Sequence, residues 1–204
     1  DFLTNAKIHM CNQMDDGRIN SSIDENTIVK LLMTKFGSVV RRPATKRSWY
    51  DLLIYDKECG WLPTNLKTTT MKTADNTGNM AMCVYGYTNY PLDLFKETYM
   101  SGEMSQILLE CFRKRLLNKD PKRDYYFIVV NKCNPSDIII NSVIGITNLT
   151  PNINNLPFQI VWDKNREYIF DDIYEKVRVF VNCLKSPKPS WKEIFMSDVR
   201  GIDV

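Results

Sequence analysis

A mixed α/β fold of the α+β kind is what this sequence predicts, and three observations carry that expectation. Two β-prone runs, 48–55 and 61–70, are joined by the short polar break Asp56-Lys57-Glu58-Cys59-Gly60, the pattern of a hairpin. Apolar residues recur at helical spacing at Ile28, Leu31, Leu32 and Phe36. Residues 125–130, Tyr-Tyr-Phe-Ile-Val-Val, form a continuous aromatic and β-branched run, as a strand covered on both faces requires. Strands and helices interleaved in this way fit one domain over 1–204, with its core at about 22–130 and a sheet extension with C-terminal helices over 131–204.

Taken in order, residues 1–21 read as polar and irregular. Ser22-Ile23-Asp24-Glu25 reads as a capping box opening the first helix, and Gly37 as its C-cap. A basic link follows, with Arg41, Arg42, Lys46 and Arg47 around Pro43. The hairpin comes next, then a polar loop over 71–79. Residues 80–87 are apolar and aromatic, and Pro91 reads as the first residue of a helix. Residues 103–117 are amphipathic with a basic end, Arg113-Lys114-Arg115. Beyond the run at 125–130, strands are expected at 137–144 and 158–162, with an Asn- and Pro-rich loop at 147–157. A helix is expected over 171–184.

A net charge of +3 permits a nucleic-acid partner without demanding one. The only histidine, His9, argues against a histidine-based hydrolase or a His-rich zinc site. Six cysteines lie at 11, 59, 83, 111, 133 and 183 with no C-x-x-C pair, so they read as reduced thiols. That favours a cytoplasmic setting, and the Asn, Ile and Lys richness points to a prokaryotic cell or a virus-infected host. The sequons at Asn20 and Asn148 read as chance. No apolar run approaches the roughly 18 residues a membrane span needs.

Chemistry concentrates in the hairpin. Asp51 opens one apolar run, and Lys67 lies on the next, two residues after Asn65. A carboxylate, a second oxygen donor and a lysine in this layout suit a metal-dependent phosphodiesterase: the oxygens for Mg²⁺, the lysine for the attacking water and developing charge. Asp51 and Lys67 are therefore expected to converge.

Asp51 followed by Asn65-Leu66-Lys67-Thr68-Thr69 resembles the D…(D/E)-x-K core of the PD-(D/E)XK nucleases, and more narrowly the type II restriction endonucleases. The resemblance is close over roughly 25 residues and loose over most of the chain. It implies a restriction-endonuclease-like core, a central mixed sheet flanked by helices. It also implies Mg²⁺-dependent, site-specific cleavage of double-stranded DNA by a homodimer, since a palindromic site suits a two-fold symmetric protein. Asp51 would bind metal, with Asn65, the Leu66 carbonyl and Glu25 of the preceding helix completing the ligands, and Lys67 would act on the water. Asn65 departs from the family, which has Asp or Glu there. An amide oxygen binds a hard cation without adding charge.

DNA contacts are expected from Arg41, Arg42, Lys46 and Arg47. They are also expected from Thr69, Thr70, Lys72, Thr73, Asn76, Thr77 and Asn79 in and beside loop 71–79, and from Asn154, Asn155, Gln159, Lys164, Asn165 and Arg166 in 152–166. Trp162, Tyr125 and Tyr126 read as core rather than as base-stacking platforms. Two alternatives stand beside this reading. One is a nuclease of different specificity on the same core, a resolvase, repair enzyme or viral RNA endonuclease. The other is a non-catalytic nucleic-acid-binding protein, which the neutral Asn65 makes credible.

Overall fold

The structure is a computed structural model, and it describes residues 1–11, 17–45, 47–152, 157–185, 199 and 201. In chain order its elements are α1 (Phe2–Asn5), α2 (Gly17–Phe36), β1 (Val40–Arg41), β2 (Leu52–Asp56), β3 (Gly60–Thr69), β4 (Asp75–Asn76), α3 (Met80–Tyr87), α4 (Ser101–Arg113), β5 (Tyr126–Asn131), β6 (Asn134–Ser142), β7 (Gln159–Ile160) and α5 (Ile173–Lys185). Two 3₁₀ turns, Gly37–Val39 and Trp162–Lys164, complete them.

Five strands form a mixed sheet in the order β1-β2-β3-β5-β6, and β4 and β7 form a separate two-stranded ribbon. The β2–β3 hairpin turns at Gly60, whose φ of +77° costs glycine little. Asp56 Oδ1 closes that turn by accepting the Glu58 and Cys59 N–H groups at 2.8 and 2.9 Å. β3 runs parallel to β5, and the connection this requires is carried by α3 and α4.

Both faces of the sheet are covered, and the strand sequences show why. β5 sends Phe127 and Val129 to the larger core, with residues of α3, α4 and α5. It sends Ile128 and Val130 to a second core, where Ile28, Val29 and Leu32 of α2 meet Leu52 and Leu66. Burying each such side chain contributes about 1.5–3 kcal/mol. Leu66 is fully buried, so β3 is pinned to α2 at the centre of the motif.

Several elements differ from their sequence-based expectation. Residues 1–21 are not wholly irregular, since α1 and the start of α2 lie within them. Ser22 is inside α2 and caps nothing, so Glu25 is not a capping-box carboxylate. Gly37, at φ +59°, does end α2. The buried face of α2 runs through Ile28, Val29 and Leu32, leaving Phe36 at its exposed end. β2 begins at Leu52 rather than Ser48, because Glu97 and Lys96 hold Trp49 out of the sheet through its N–H and Nε1–H groups. Pro91 opens no helix; the apolar stretch before it is the helix, α3. α4 stops at Arg113, and Arg115 takes a positive φ. Loop 71–79 contains β4, and the strand expected over 158–162 shrinks to the two residues of β7, with Trp162 fully buried in the following turn. Among the described residues no helix is long and apolar enough to cross a membrane.

Candidate active site

β2 pairs with β3 only as far as Leu52↔Thr64. Beyond that point β3 continues against β5 alone, as far as Thr69. The N–H groups of Leu66 and Thr68 are left on the open edge, and a buried N–H without a partner costs about 1–3 kcal/mol. Two carboxylates take them. Asp51 Oδ2 accepts from Leu66 N at 2.9 Å, and Glu25 Oε1 accepts from Thr68 N at 3.2 Å. The Leu66 carbonyl leaves the strand on the same side as its N–H, so it faces this edge too. The Glu25 side of the arrangement is fixed by α2 packing, helped by the Thr68 hydroxyl donating to the Ser21 carbonyl at 3.4 Å.

Burial dominates the electrostatics. It pushes Glu25 up to about 7; Lys67 opposes this, Asp51 adds to it, the Thr68 N–H opposes it and Asp75 adds to it. Burial also raises Asp51, against the Leu66 N–H, Lys67 and Arg42. Lys67 thus acts electrostatically on both carboxylates, favouring the charged form of each. Arg42 shares a cleft of about 470 Å³ with Glu25, Asp51 and Leu66. Its guanidinium bonds not to a carboxylate but to Asn26 Oδ1. Among the described residues, none of these four charges closes an ion pair. Each anion is held by a backbone N–H and Arg42 by a neutral amide, so the space between them is kept.

Asn65 adds an unusual atom. Its side chain bonds the Tyr125 hydroxyl, which donates to the Trp49 carbonyl at 2.9 Å. Asn65 Oδ1 is buried with no partner. Tyr125 also feels the Asp51 charge, which puts this orphan oxygen in the neighbourhood of the carboxylate. Among the described residues no group of three His, Cys, Asp or Glu side chains stands ready for a metal. The donors present are two carboxylates, a carbonyl and an unpartnered amide oxygen. All are hard oxygens, and they fit Mg²⁺ or Ca²⁺ rather than a thiophilic metal.

The other expected contact residues divide. Arg41 lies on β1 with its guanidinium 4.3 Å from the Trp61 ring centre, and Arg47 is exposed. Lys46, Asn154 and Asn155 lie outside the described residues. Thr69 is buried, while Thr70 and Thr73 are exposed and share a hydrogen bond of 3.0 Å. Lys72 and Lys164 are exposed. Three of the loop residues have structural work instead. Thr77 is buried and bonds the Asp75 carbonyl, and Asn79 caps α3 through Met82 N. Asn76 Oδ1 accepts from both Asn152 Nδ2 and Gln159 Nε2, at 2.6 and 2.9 Å. Arg166 is committed to Asp137 and Asp163, and its two hydrogen bonds to Asp137 hold that carboxyl down at about 2. Asn165 is buried and ties the loop at 147–148 to its own. Tyr125 and Trp162 are core residues, as expected; Tyr126 is half-buried.

Sequence reasoning missed Asn26, Asp75 and Glu97. Asn26 is next to Glu25 in the chain, the one signal that pointed to it. Glu97 accepts the Ala44 and Thr45 N–H groups at 2.6 and 2.9 Å and so fixes the cleft lip from a distant segment, with no local signature. Comparison of this chain with protein-family models, with curated proteins and with solved structures finds no match.

Proposed function

We propose that this protein is a Mg²⁺-dependent endonuclease with a restriction-endonuclease-like core, hydrolysing phosphodiester bonds of duplex DNA at a specific sequence. The observation that carries the reading is the cleft lined by Asp51, Glu25 and Arg42, unpaired with one another, with the Lys67 charge acting on both carboxylates. Unspent charges of both signs, on a sheet edge, suit a cation and a phosphate that arrive together.

Asp51, Glu25, the Leu66 carbonyl and Asn65 Oδ1 would hold the metal. When bound, Mg²⁺ supplies Lewis-acid stabilisation of charge on the phosphate and eases ionisation of the attacking water. The Lys67 ammonium orients that water and offsets charge as it builds on the phosphate oxygens. The water oxygen bonds to phosphorus while the bond to the leaving sugar oxygen breaks. The water's proton passes to solvent and the leaving oxygen takes one from solvent, giving a phosphomonoester and a hydroxyl. A homodimer would place two such sites on the two strands of a palindrome. A reducing, cytoplasmic setting, in a prokaryotic cell or a virus-infected host, agrees with six unpaired thiols.

The test is incubation of the wild type and Asp51→Asn with plasmid DNA and Mg²⁺. Discrete fragments from the wild type alone are expected. No fragments from either, or equal fragments from both, would overturn the proposal. The neutral Asn65 favours a second reading, a protein on this core that binds nucleic acid without cutting it or that cuts branched DNA or RNA. Tight metal-independent binding with no cleavage of duplex, branched DNA or RNA would select the non-cutting form.

A further inference from the structure

We propose that Arg42 receives a phosphate oxygen of the nucleic acid in the cleft, and that Asn26 is the positioning residue that keeps its guanidinium from collapsing onto Asp51. The inference rests on the nuclease reading for the identity of the phosphate as the one near the cut.

The argument starts from a choice the structure makes. Arg42 is near enough to Asp51 for its charge to act on that carboxyl. A guanidinium in such a place ordinarily forms a forked pair with the carboxylate, the stronger bond. Here it bonds the neutral Asn26 side chain instead. Asn26 is fixed for this task. Its Nδ2 donates to the Ser22 carbonyl one helical turn earlier, at 2.7 Å, and this turns Oδ1 outward to the cleft. Asp51 is fixed in turn by Leu66 N. Each partner that would quench the other is therefore occupied by a neutral group.

The backbone carrying Arg42 is held as well. Glu97 binds two successive N–H groups, Ala44 and Thr45, just beyond it. The Arg42 fork has five N–H donors in a plane, and one neutral acceptor leaves most of them and the whole charge unspent. An exposed, oriented, unneutralised guanidinium facing two carboxylates across a cleft is suited to a phosphate oxygen, whose other oxygens would meet the carboxylate-bound cation. A carboxylate ligand would be repelled by Asp51 and Glu25 unless a cation intervened, and an apolar ligand would leave the guanidinium unsolvated.

The test separates this role from folding and from the nuclease reading. Affinity for a short random-sequence duplex is measured against salt in Ca²⁺ for the wild type, Arg42→Ala and Asn26→Asp. Mn²⁺ binding and thermal midpoint are measured for the same proteins, and Mn²⁺ binding also for Asp51→Asn and Glu25→Gln. A charge-assisted bond to phosphate is worth about 1.5–3 kcal/mol, so Arg42→Ala should bind DNA about 10–100-fold more weakly. Its salt slope should fall by about 0.9, one phosphate contact. Asn26→Asp replaces the neutral brace by an anion. It should raise or preserve the thermal midpoint by pairing with Arg42, yet weaken DNA binding about tenfold, a split that a merely structural role does not give. Unchanged affinity and slope in Arg42→Ala, or no DNA binding by the wild type, overturns the inference. If Arg42→Ala weakens DNA binding but Mn²⁺ affinity is indifferent to Asp51→Asn and Glu25→Gln, the nuclease reading falls and the phosphate role of Arg42 stands.

Discussion

Asp51 Oδ2 accepts the Leu66 N–H at 2.9 Å, a bond from the start of one hairpin strand to the middle of the other, just where their ladder ends. It anchors the carboxylate to the strand that carries Lys67. Because Leu66 is buried in the core against α2, the same bond ties the site to that core. The site's predicted behaviour follows from such anchors.

Asp51→Asn and Glu25→Gln should each weaken Mn²⁺ binding by at least about tenfold, since each removes one of the two charged ligands proposed for the metal. Neither should unfold the protein. Each amide keeps an oxygen to accept from Leu66 or Thr68, and each removes a charge that burial disfavours. Metal titration by electron paramagnetic resonance, beside thermal melts, checks both halves.

Lys67→Ala should lose cleavage by about 10²–10³-fold, the usual cost of removing one group that stabilises transition-state charge. Mn²⁺ affinity should survive, because lysine is no ligand. Single-turnover cleavage of plasmid DNA at normal rate by this variant would show that the lysine is wrongly assigned.

Asn65→Asp should behave oppositely with and without metal. The oxygen at this position is already buried and unpartnered. Adding charge there, near Asp51, should destabilise the metal-free protein by about 1–3 kcal/mol. Saturating Mn²⁺ should more than restore it, because a third carboxylate tightens a hard-cation site. The thermal midpoint, measured with and without Mn²⁺, should therefore rise more on metal addition in the variant than in the wild type.

Asp124 sets a pH dependence remote from the site. Burial raises it to about 7 from 3.8, although Ser142, Tyr125 N and Ile144 N all favour its charged form. Its folded pKa lies above its unfolded value, so its contribution to stability is fully present below 3.8 and is lost as pH rises through about 7. The loss is on the order of 4 kcal/mol. Asp124→Asn keeps an acceptor for Tyr125 N and should flatten this decline. Urea unfolding at about pH 4 and pH 8 in both proteins decides it; parallel declines would place the titrating group elsewhere.

The β4–β7 ribbon should carry sequence discrimination. Asn76 and Gln159 face each other in register, and Gln159 Nε2 donates to Asn76 Oδ1 at 2.9 Å, leaving the Gln159 Oε1 acceptor without a partner among the described residues. Gln159→Leu should cost about 1–3 kcal/mol against the preferred sequence if that acceptor meets a base amine. It should leave random-sequence affinity nearly intact. Selection from a random duplex pool, with equal enrichment by both proteins, would remove the ribbon from recognition.

What the sequence determined by itself lies in patterns of short range. The hairpin, the buried β5 and the helices around the sheet were legible because alternation, turn residues and 3.6-residue spacing act between near neighbours. Asp51 and Lys67 stood out for a related reason: a charged residue in or beside a β-prone run needs a reason to be there. Glu25 was named, but its local reading as a cap was wrong, because the helix already runs from Gly17 and only the packing of α2 on β3 shows where its carboxylate goes. Tertiary structure alone decided the rest. It ended the β2–β3 ladder at Thr64 and so created the open edge. It brought Asn26 to Arg42, and Glu97 to Ala44, across the chain. It spent Arg166 on Asp137 and Asn79 on a helix cap, although both looked free in the sequence. The reason is physical. Whether a polar side chain is available depends on which buried N–H or opposite charge lies beside it after folding, and those partners come from segments that sequence spacing does not relate.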